Sequence, residues 1–228
     1  MDPTTKNPSA GGAGAPKDVR ISTANTPESK LSSIDFQAHY SEILKEHWKC
    51  DSLSIEVIAA LLREGVAVEA ICRRLQDGTL ADPPRQARIV YLSETSFEYA
   101  IYNPGVPNSL VLVFLVRDHV GDAVDLAAWS GGERKPALWC ARGALLGEEN
   151  LFAPRMTEGL LVHPSPMEWL RAGCNGVVVL DNAKAAPLLR RAEPLQASSM
   201  THGRHLAQIM KVNPPRILVP SPTSRRAA

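Results

Sequence analysis

The sequence lacks the short motifs that mark three common kinds of enzyme site. It contains no GxGxxG after an apolar run, no GxxxxGK[ST] and no GxSxG. These motifs let the backbone wrap a dinucleotide, cradle a triphosphate or expose a nucleophilic serine. Their absence argues against a dinucleotide-dependent enzyme, a P-loop enzyme and a serine hydrolase with that turn. We therefore expect no bound cofactor.

Cysteine pairs and long apolar runs are also missing. The 4 cysteines form no CxxC pair, and none has a histidine at zinc-site spacing. We interpret Cys72, Cys140 and Cys174 as small core residues in a reducing compartment. No apolar run approaches the roughly 20 residues of a membrane span, and the N-terminus lacks the apolar core of a secretory signal. The sequence predicts a soluble, cytoplasmic protein without a membrane partner.

Charges of opposite sign are concentrated in different parts of the chain. Residues 151–228 contain ten Lys and Arg against four Asp and Glu, whereas residues 1–150 contain fifteen against twenty. The basic part indicates either nucleic-acid contact or a surface that meets the acidic part of the same chain. The candidate nucleic-acid-binding residues are Arg171, Lys184, Arg190, Arg191, Arg204 and Lys211.

Composition and hydrophobic periodicity divide the chain into five segments. They are a disordered arm at 1–33, a helical segment at 34–85, an antiparallel β region at 86–158, a small α/β layer at 159–220 and a disordered tail at 221–228. The arm is rich in Pro, Gly, Ala, Ser and Thr and cannot bury enough apolar surface to fold, and the tail has the same character. In the helical segment, Ser54 is placed to cap a helix.

The hydrophobic period changes from 3.6 to 2 after "ADPPRQ", which predicts an antiparallel meander. "ARGALLGEENLF" predicts a short helix that ends at Gly147. From Gly159, the runs "GLLVH", "GVVVLD", "LQASSM" and "RILVP" alternate with helical segments, and Pro166 suits the first position of one helix. The alternation indicates right-handed βαβ units and a mostly parallel sheet, so the fold class is α+β or α/β.

Polar side chains follow three strands of the predicted parallel sheet. His163 and Asp181 end the first two strands, and Ser199 follows the third, shortly before His202. Ligands bind at the carboxyl ends of such strands, so these four are candidate catalytic residues of a small hydrolase or a metal-dependent transferase. Alternatively, they are ordinary polar residues where strands meet loops. His202 and His205 are three residues apart, but no motif supplies a third ligand, so we expect no metal site.

The segment "VRDHVGDAVDLAAW" brings Asp118, Asp122 and Asp125 close together in sequence. Paired carboxylates can hold Mg²⁺ or carry out acid–base chemistry. We favour the alternative that Gly121 makes a turn flanked by Asp118 and Asp122. Asp125 then lies in a strand, where it caps a neighbour or forms an ion pair.

The stretch "IAALLREGVAVEAICRRLQDG" has the rhythm of a helix-turn-helix unit, with Gly65 in the turn. A DNA-binding regulator acting through helices in 54–76 would present Glu69, Arg73, Arg74 and Gln76 to the DNA. Only two of these residues are basic, and "ADPPRQ" excludes a third helix directly afterwards. A helical hairpin that packs on a sheet is therefore the preferred interpretation.

Residues 116–219 resemble the Toprim-containing primase-like proteins of phages, plasmids and mobile elements. In those proteins a segment of the type hDxxGDxxDLxAW precedes a small α/β domain, and here that segment is "RDHVGDAVDLAAW". "GLLVHPSPMEWLRAGCNGVVVLD" then follows the strand–helix–strand outline with which a Toprim domain opens. The resemblance implies a Toprim-like α/β layer in a protein of a mobile-element replication system.

The chain departs from the Toprim pattern at its metal-binding positions. A Toprim domain places a Glu after its first strand and an Asp-x-Asp pair after a later one, to hold Mg²⁺. Here His163 takes the first position, and the later strand ends "ASSMTHG" without an acidic residue. Asp181 alone cannot organise a two-metal site. The resemblance therefore implies a non-catalytic accessory or scaffold protein whose partner is nucleic acid or a replication or recombination protein, in an oligomeric state that the sequence leaves open.

Overall fold

The computed structural model describes residues 28–72, 82–100, 105–132, 134–152, 159–192 and 194–211, with side chains from residue 39 onward. Within these ranges the helices are α1 (Glu28–Lys49), α2 (Ile55–Arg63), α3 (Val68–Ile71), α4 (Pro166–Arg171), α5 (Asn182–Arg191) and α6 (Met200–Ile209). The strands are β1 (Arg85–Tyr91), β2 (Phe97–Tyr99), β3 (Ser109–Arg117), β4 (Ala123–Trp129), β5 (Ala137–Leu138), β6 (Leu145–Leu146), β7 (Leu160–His163), β8 (Val177–Val179) and β9 (Leu195–Ala197). None of these helices has both the length and the apolar character needed to cross a membrane.

Five strands form an antiparallel sheet in the order β2-β1-β3-β4-β5. Ile89 of β1 pairs with Tyr99 of β2 on one side and with Ser109 of β3 on the other. The predicted meander is therefore right for the pairing of β1 with β2 but wrong for β3, which pairs with β1 and not with β2. Ile89 is fully buried, as expected for an interior strand. The alternation of apolar residues in a strand, however, does not indicate which other strands pair with it.

Both faces of this sheet are buried, which explains the unbroken apolar run of β3. Val111 and Val113 of β3 pack in one cluster with Ile43 of α1. Phe114 points to the opposite face and packs in a second cluster with Leu61 of α2. Alternate side chains of a strand point to opposite faces, so a strand covered on both sides is apolar at every position.

The hairpin of α2 and α3 packs on this sheet, as the sequence predicts. Ser54 caps α2, because its Oγ accepts the backbone N–H of Val57 at 3.4 Å. Leu61 and Ile71 are buried in the cluster that contains Phe114. The α3 helix ends at Ile71 and is shorter than predicted. Of the residues proposed to meet DNA, Arg73, Arg74 and Gln76 lie outside the described ranges.

A second sheet contains four strands in the order β6-β8-β7-β9. β7 is parallel to β8 and to β9, whereas β6 is antiparallel to β8. The prediction of an α+β fold with a mostly parallel second sheet is therefore confirmed. On one face, Trp169 of α4 meets Phe114 of the first sheet with ring centroids 6.2 Å apart. On the other face, Leu189 of α5 and Leu206 of α6 pack with Val162.

The predicted helix before Gly147 is wrong. The chain there forms β6, which pairs with β8, and a 3₁₀ turn follows at Glu148–Asn150. A short apolar run is compatible with either a strand or a helix, and here the partner strand decides. Gly147 has a φ of 81°, and a Cβ at this position would lie 2.6 Å from the carbonyl oxygen of Gly176. Only glycine fits this backbone approach without distortion.

The ends of the predicted segments differ from the observed elements. α1 begins at Glu28, so residues 28–33 of the predicted disordered arm are helical. β6 precedes residue 159, where the α/β layer was expected to begin, and yet belongs to the second sheet. The rest of the arm, the predicted strand at 216–220 and the predicted tail at 221–228 lie outside the described residues.

Candidate functional site

The carboxyl ends of β7, β8 and β9 lie at one edge of the second sheet, as the sequence predicts. β7 leads through α4 to β8 on one side, and β9 lies on the other side of β7. In open α/β sheets such a reversal leaves a crevice at the carboxyl edge, where ligands bind. His163 ends β7, and Ser198 and Ser199 directly follow β9, so these residues lie at the carboxyl edge beside the reversal.

His163 and Asp181 are hydrogen-bonded to nearby backbone. The Nε2–H of His163 donates to the carbonyl oxygen of Asn175 at 2.8 Å. The carboxylate of Asp181 caps α5 by accepting the backbone N–H groups of Ala183 and Lys184 at 2.9 and 3.2 Å. Partial burial acts to raise the pKa of Asp181, but these hydrogen bonds and the nearby Lys184 charge hold that pKa below its usual value. Both side chains therefore support local structure.

Ser199 and His202 are also used at the start of α6. The Oγ of Ser199 accepts the backbone N–H of His202 at 3.1 Å, which makes Ser199 the cap of the helix. The Nδ1 of His202 lies 3.2 Å from the Oγ of Ser198. Burial lowers the pKa of His202, and the nearby His205 and His163 lower it further. The structure thus brings His163 and His202 within electrostatic range of each other, whereas Asp181 is engaged with its own helix.

The acidic segment before β4 is a turn, as we favoured from the sequence. The Oδ1 of Asp118 accepts the backbone N–H groups of Val120, Gly121 and Asp122 at 2.9, 3.0 and 3.0 Å. Gly121 adopts a φ of 101°, which suits this turn. Across the described ranges, no group of three or more His, Cys, Asp or Glu side chains is arranged to hold a metal ion.

Asp125 is fully buried in β4 and holds the loop that follows β5. Its Oδ1 accepts the backbone N–H of Cys140 at 3.0 Å. Its Oδ2 accepts the N–H groups of Arg142 and Gly143 at 2.6 and 2.9 Å. The predicted capping role of Asp125 is confirmed, and the loop that it holds contains Ala141 with a left-handed φ of 53°.

This loop borders a cleft that the sequence does not indicate. The cleft lies between α1, the turn before β4, the loop and α5, and its polar lining includes His39, Arg142, Glu148 and Lys184. The Nε2 of His39 lies 3.6 Å from the Sγ of Cys140, although 101 positions separate the two residues. Only the tertiary fold brings them together, so no spacing motif could have found the pair.

The His39–Cys140 pair has the spacing of a base and a nucleophile but not the electrostatics. Burial and the neighbouring Asp125 carboxylate raise the pKa of Cys140 to about 12. Burial, together with the charge of Arg142, lowers the pKa of His39. The thiolate is the reactive form of cysteine, so a thiol held neutral beside a buried carboxylate is a poor nucleophile.

We expect iodoacetamide to modify Cys140 at least about 100-fold more slowly than Cys72, because only about one Cys140 thiol in 10,000 is ionised at pH 8. Cys72 was predicted in the core but is exposed, so it is the accessible comparison within the same chain. Peptide mass spectrometry of the folded protein at pH 8 measures both rates. Comparable rates would show that burial and Asp125 do not hold the Cys140 thiol in its neutral form.

The predicted nucleic-acid-binding residues divide between the two faces of the second sheet. Arg171 lies on α4, where its guanidinium pairs with the carboxylates of Glu64 and Glu168 at 2.7 and 2.6 Å. Its charge is therefore compensated, and the sheet separates it from the others. The remaining residues lie on or directly after α5 and α6, and they are Lys184, Arg190, Arg191, Arg204 and Lys211.

A groove runs between α5 and α6, and we call it the basic groove. Its charged and imidazole side chains are Arg190, His205 and Lys211, and no acidic side chain of the described residues lines it. A guanidinium nitrogen of Arg190 donates to the carbonyl oxygen of Met210 at 3.0 Å, which ties the ends of the two helices together. The stretch 182–211 contains five Lys and Arg and a single acidic residue, Glu193. Basic side chains therefore outnumber acidic ones in the two helices that cover this face of the sheet.

No protein-family model matches the chain, and neither a curated protein nor a solved structure matches it.

Proposed function

We propose that the protein is a non-catalytic accessory or scaffold protein that binds the phosphate backbone of nucleic acid along the basic groove. The observation that carries the proposal is the accumulation of cations on one face of the second sheet, around a groove that no acidic side chain lines within the described ranges. The Toprim-like ancestry and the place in a mobile-element replication system belong to the same proposal and rest on the sequence resemblance.

The cationic side chains of this face differ in how far contacts within the protein compensate their charge. The Nζ of Lys184 lies 3.4 Å from the Asp181 carboxylate, which partly compensates its charge. The guanidiniums of Arg190 and Arg191 contact a carbonyl oxygen and an aromatic ring, respectively, and neither contact neutralises their charge. Arg190, Arg191, Arg204 and Lys211 are all exposed. These four are the strongest candidates to meet phosphate groups.

The lining of the basic groove also indicates the mode of binding. In the part of the chain that the structure describes, no Phe, Tyr or Trp lines it, so these residues offer no surface on which bases could stack. Contacts to phosphates orient a nucleic acid but carry no direct sequence information. We therefore expect binding that is independent of sequence and sensitive to salt.

The non-catalytic part of the proposal is supported by the use of the strand-end side chains. Asp181 and Ser199 cap helices, and His163 donates to a backbone carbonyl. Burial and the charges of His205 and His163 lower the pKa of His202, and among the described residues no carboxylate acts on it to make an acid–base pair. The hydrolase and transferase alternative has correspondingly less support.

The DNA-binding regulator also has less support than the accessory protein. A recognition helix must present its outward residues to the major groove. Ala70 and Ile71 of the short α3 are buried, and the thiol of Cys174 donates to the carbonyl oxygen of Ala70 at 3.5 Å. These contacts hold α3 against α4 and favour a structural role for the hairpin.

Anisotropy of a labelled DNA duplex of arbitrary sequence tests the proposed function. We expect binding at 50 mM salt that weakens steeply towards 200 mM, with the logarithm of affinity linear in the logarithm of salt concentration. The double variant Arg190→Gln/Lys211→Gln removes two cations of the basic groove, so the slope should decrease by about 2 if each contacts one phosphate. A second duplex of unrelated sequence should bind equally well.

The matched control is Lys45→Gln/Arg88→Gln, which removes two exposed cations from α1 and β1 and so makes the same change in net charge. This control should leave the salt slope unchanged. If both double variants changed the salt slope equally, binding would depend on the net charge of the protein and not on the basic groove. Absence of binding at 50 mM salt would reject nucleic acid as the partner.

A further inference from the structure

The outer edge of β9 has no partner strand among the described residues. β9 pairs with β7 along its inner edge, in parallel. The carbonyl oxygen of Pro194 accepts the N–H of Leu160 at 2.9 Å. Because backbone groups alternate in direction along a strand, the N–H groups of Leu195 and Ala197 point to the outer edge. An edge of this kind is a ready template for another strand.

An apolar groove runs along this edge, between β9 and α6, and we call it the edge groove. Leu195 and Ala197 line it from β9, and Ala207 and Met210 line it from α6. None of the described residues that line it has a charged or polar side chain. Gly203 of α6 faces β9, and a Cβ at this position would lie in ordinary van der Waals contact, at 3.7 Å, with the Cβ of Ala197. The edge groove thus places an apolar wall beside a row of backbone donors and acceptors.

The direction of the chain after α6 leads to the same edge. Crossovers between parallel strands of one sheet are right-handed in about 98% of cases. The α5 crossover runs from β8 past β7 to β9. Leu189 of α5 and Leu206 of α6 pack in one cluster, so both helices cover the same face of the sheet. A second crossover of the same hand on the same face continues in the same direction, and it places the next parallel strand beyond β9.

The sequence after α6 supplies a segment with the right properties. Residues 216–220 read "RILVP", with three consecutive apolar positions. β8, an interior strand of the same sheet, has the similar run "VVV". The six residues 210–215 separate α6 from this segment, and connections of 2–6 residues are typical between a helix and the next strand.

We propose that residues 216–220 of the same chain dock in the edge groove as a parallel strand beside β9. This segment lies outside the described residues, and the edge groove is its docking site. The short connection favours the chain's own segment over one from another molecule, because it holds the segment near the edge groove at an effective concentration of the order of millimolar. The inference does not depend on the basic groove or on the proposed binding of nucleic acid.

Amide hydrogen exchange of the full-length protein tests this inference. Leu218→Asp places a carboxylate in the middle of the apolar segment, whereas the control Thr223→Asp makes the same change in charge beyond it. We expect the outward amides of Leu195 and Ala197 to exchange at least about tenfold faster in Leu218→Asp, because opening of the edge no longer requires the strand to be displaced. The control should exchange as the unsubstituted protein does.

Two further measurements decide between possible occupants and guard against unfolding. A synthetic peptide of residues 213–221, added to full-length Leu218→Asp, should restore slow exchange at β9, whereas a scrambled peptide should not. If Leu218→Asp does not fold, Leu218→Ala takes its place with a smaller acceleration of about threefold. If the β9 amides exchanged at the same rate in the unsubstituted protein and in the Leu218 variant, the inference would be overturned. A dimer in light scattering that Leu218→Asp dissociates would assign the edge groove to a second copy and would overturn it as well.

Discussion

Replacement of Asp125 by Asn should lower the free energy of unfolding by about 4 kcal/mol, a large fraction of the 5–15 kcal/mol typical of a folded domain. The fully buried Asp125 carboxylate accepts the backbone N–H groups of Cys140, Arg142 and Gly143. An amide keeps one acceptor oxygen and turns the other position into a donor, so buried N–H groups of the loop would face N–H groups of Asn. Each unsatisfied buried donor costs about 1–3 kcal/mol.

Urea denaturation monitored by tryptophan fluorescence measures this loss. Glu98→Gln is the matched control, because it makes the same chemical change at an exposed position of β2 and should alter stability by less than about 0.5 kcal/mol. A similarly small effect of Asp125→Asn would mean that the loop finds other acceptors and that Asp125 does not hold it.

Acidification should destabilise the protein through His47, which is fully buried in α1. Among the described residues, neither ring nitrogen of His47 has a hydrogen-bond partner. Burial lowers the pKa of His47 from 6.5 to about 4; the charges of Arg85 and Arg117 act in the same direction, and that of Asp82 opposes them. The unfolded chain therefore binds the proton more tightly than the native protein. Stability is complete above pH 6.5 and falls by about 3 kcal/mol as the pH decreases to 4.

His47→Leu removes the titrating ring and keeps a side chain of similar size in the core. We expect this variant to be at least as stable as the unsubstituted protein at pH 7.5, since it removes unsatisfied polar atoms, and to lose about 3 kcal/mol less between pH 6.5 and 4. His205→Gln, at an exposed position of α6, is the control. Urea midpoints at several pH values give the comparison, and a parallel acid response in all three proteins would exclude His47 as its source.

The sequence was informative wherever a local pattern decides the structure. The cap at Ser54, the turn at Asp118 and the helix start at Pro166 were predicted, because each depends on residues within a few positions. The parallel arrangement of β7 and β8 was also predictable, since a strand–helix–strand unit leaves few alternatives. This is why the edge that carries His163 could be placed before the fold was known.

The missed features depend on partners that are distant in the chain. Arg171 was expected to contact phosphate, but it pairs with Glu64, which lies 107 positions earlier. β1 lies between β2 and β3 because its two edges pair with those two strands. The alternation of apolar residues along a strand does not indicate which strands will pair. The pair of His39 and Cys140 arises in the same way from two elements that only the packed sheet brings together.

The cluster between the two sheets has a consequence for how the protein unfolds. Phe114 belongs to the first sheet and Val178 to the second, and both lie in one buried cluster with Trp169 of α4. Opening either sheet would expose the apolar face of the other to water, so the loss of one removes part of the stability of its neighbour. The change from an antiparallel to a mostly parallel sheet near residue 159 therefore does not divide the chain into two folding units. We expect both sheets to unfold in a single cooperative transition.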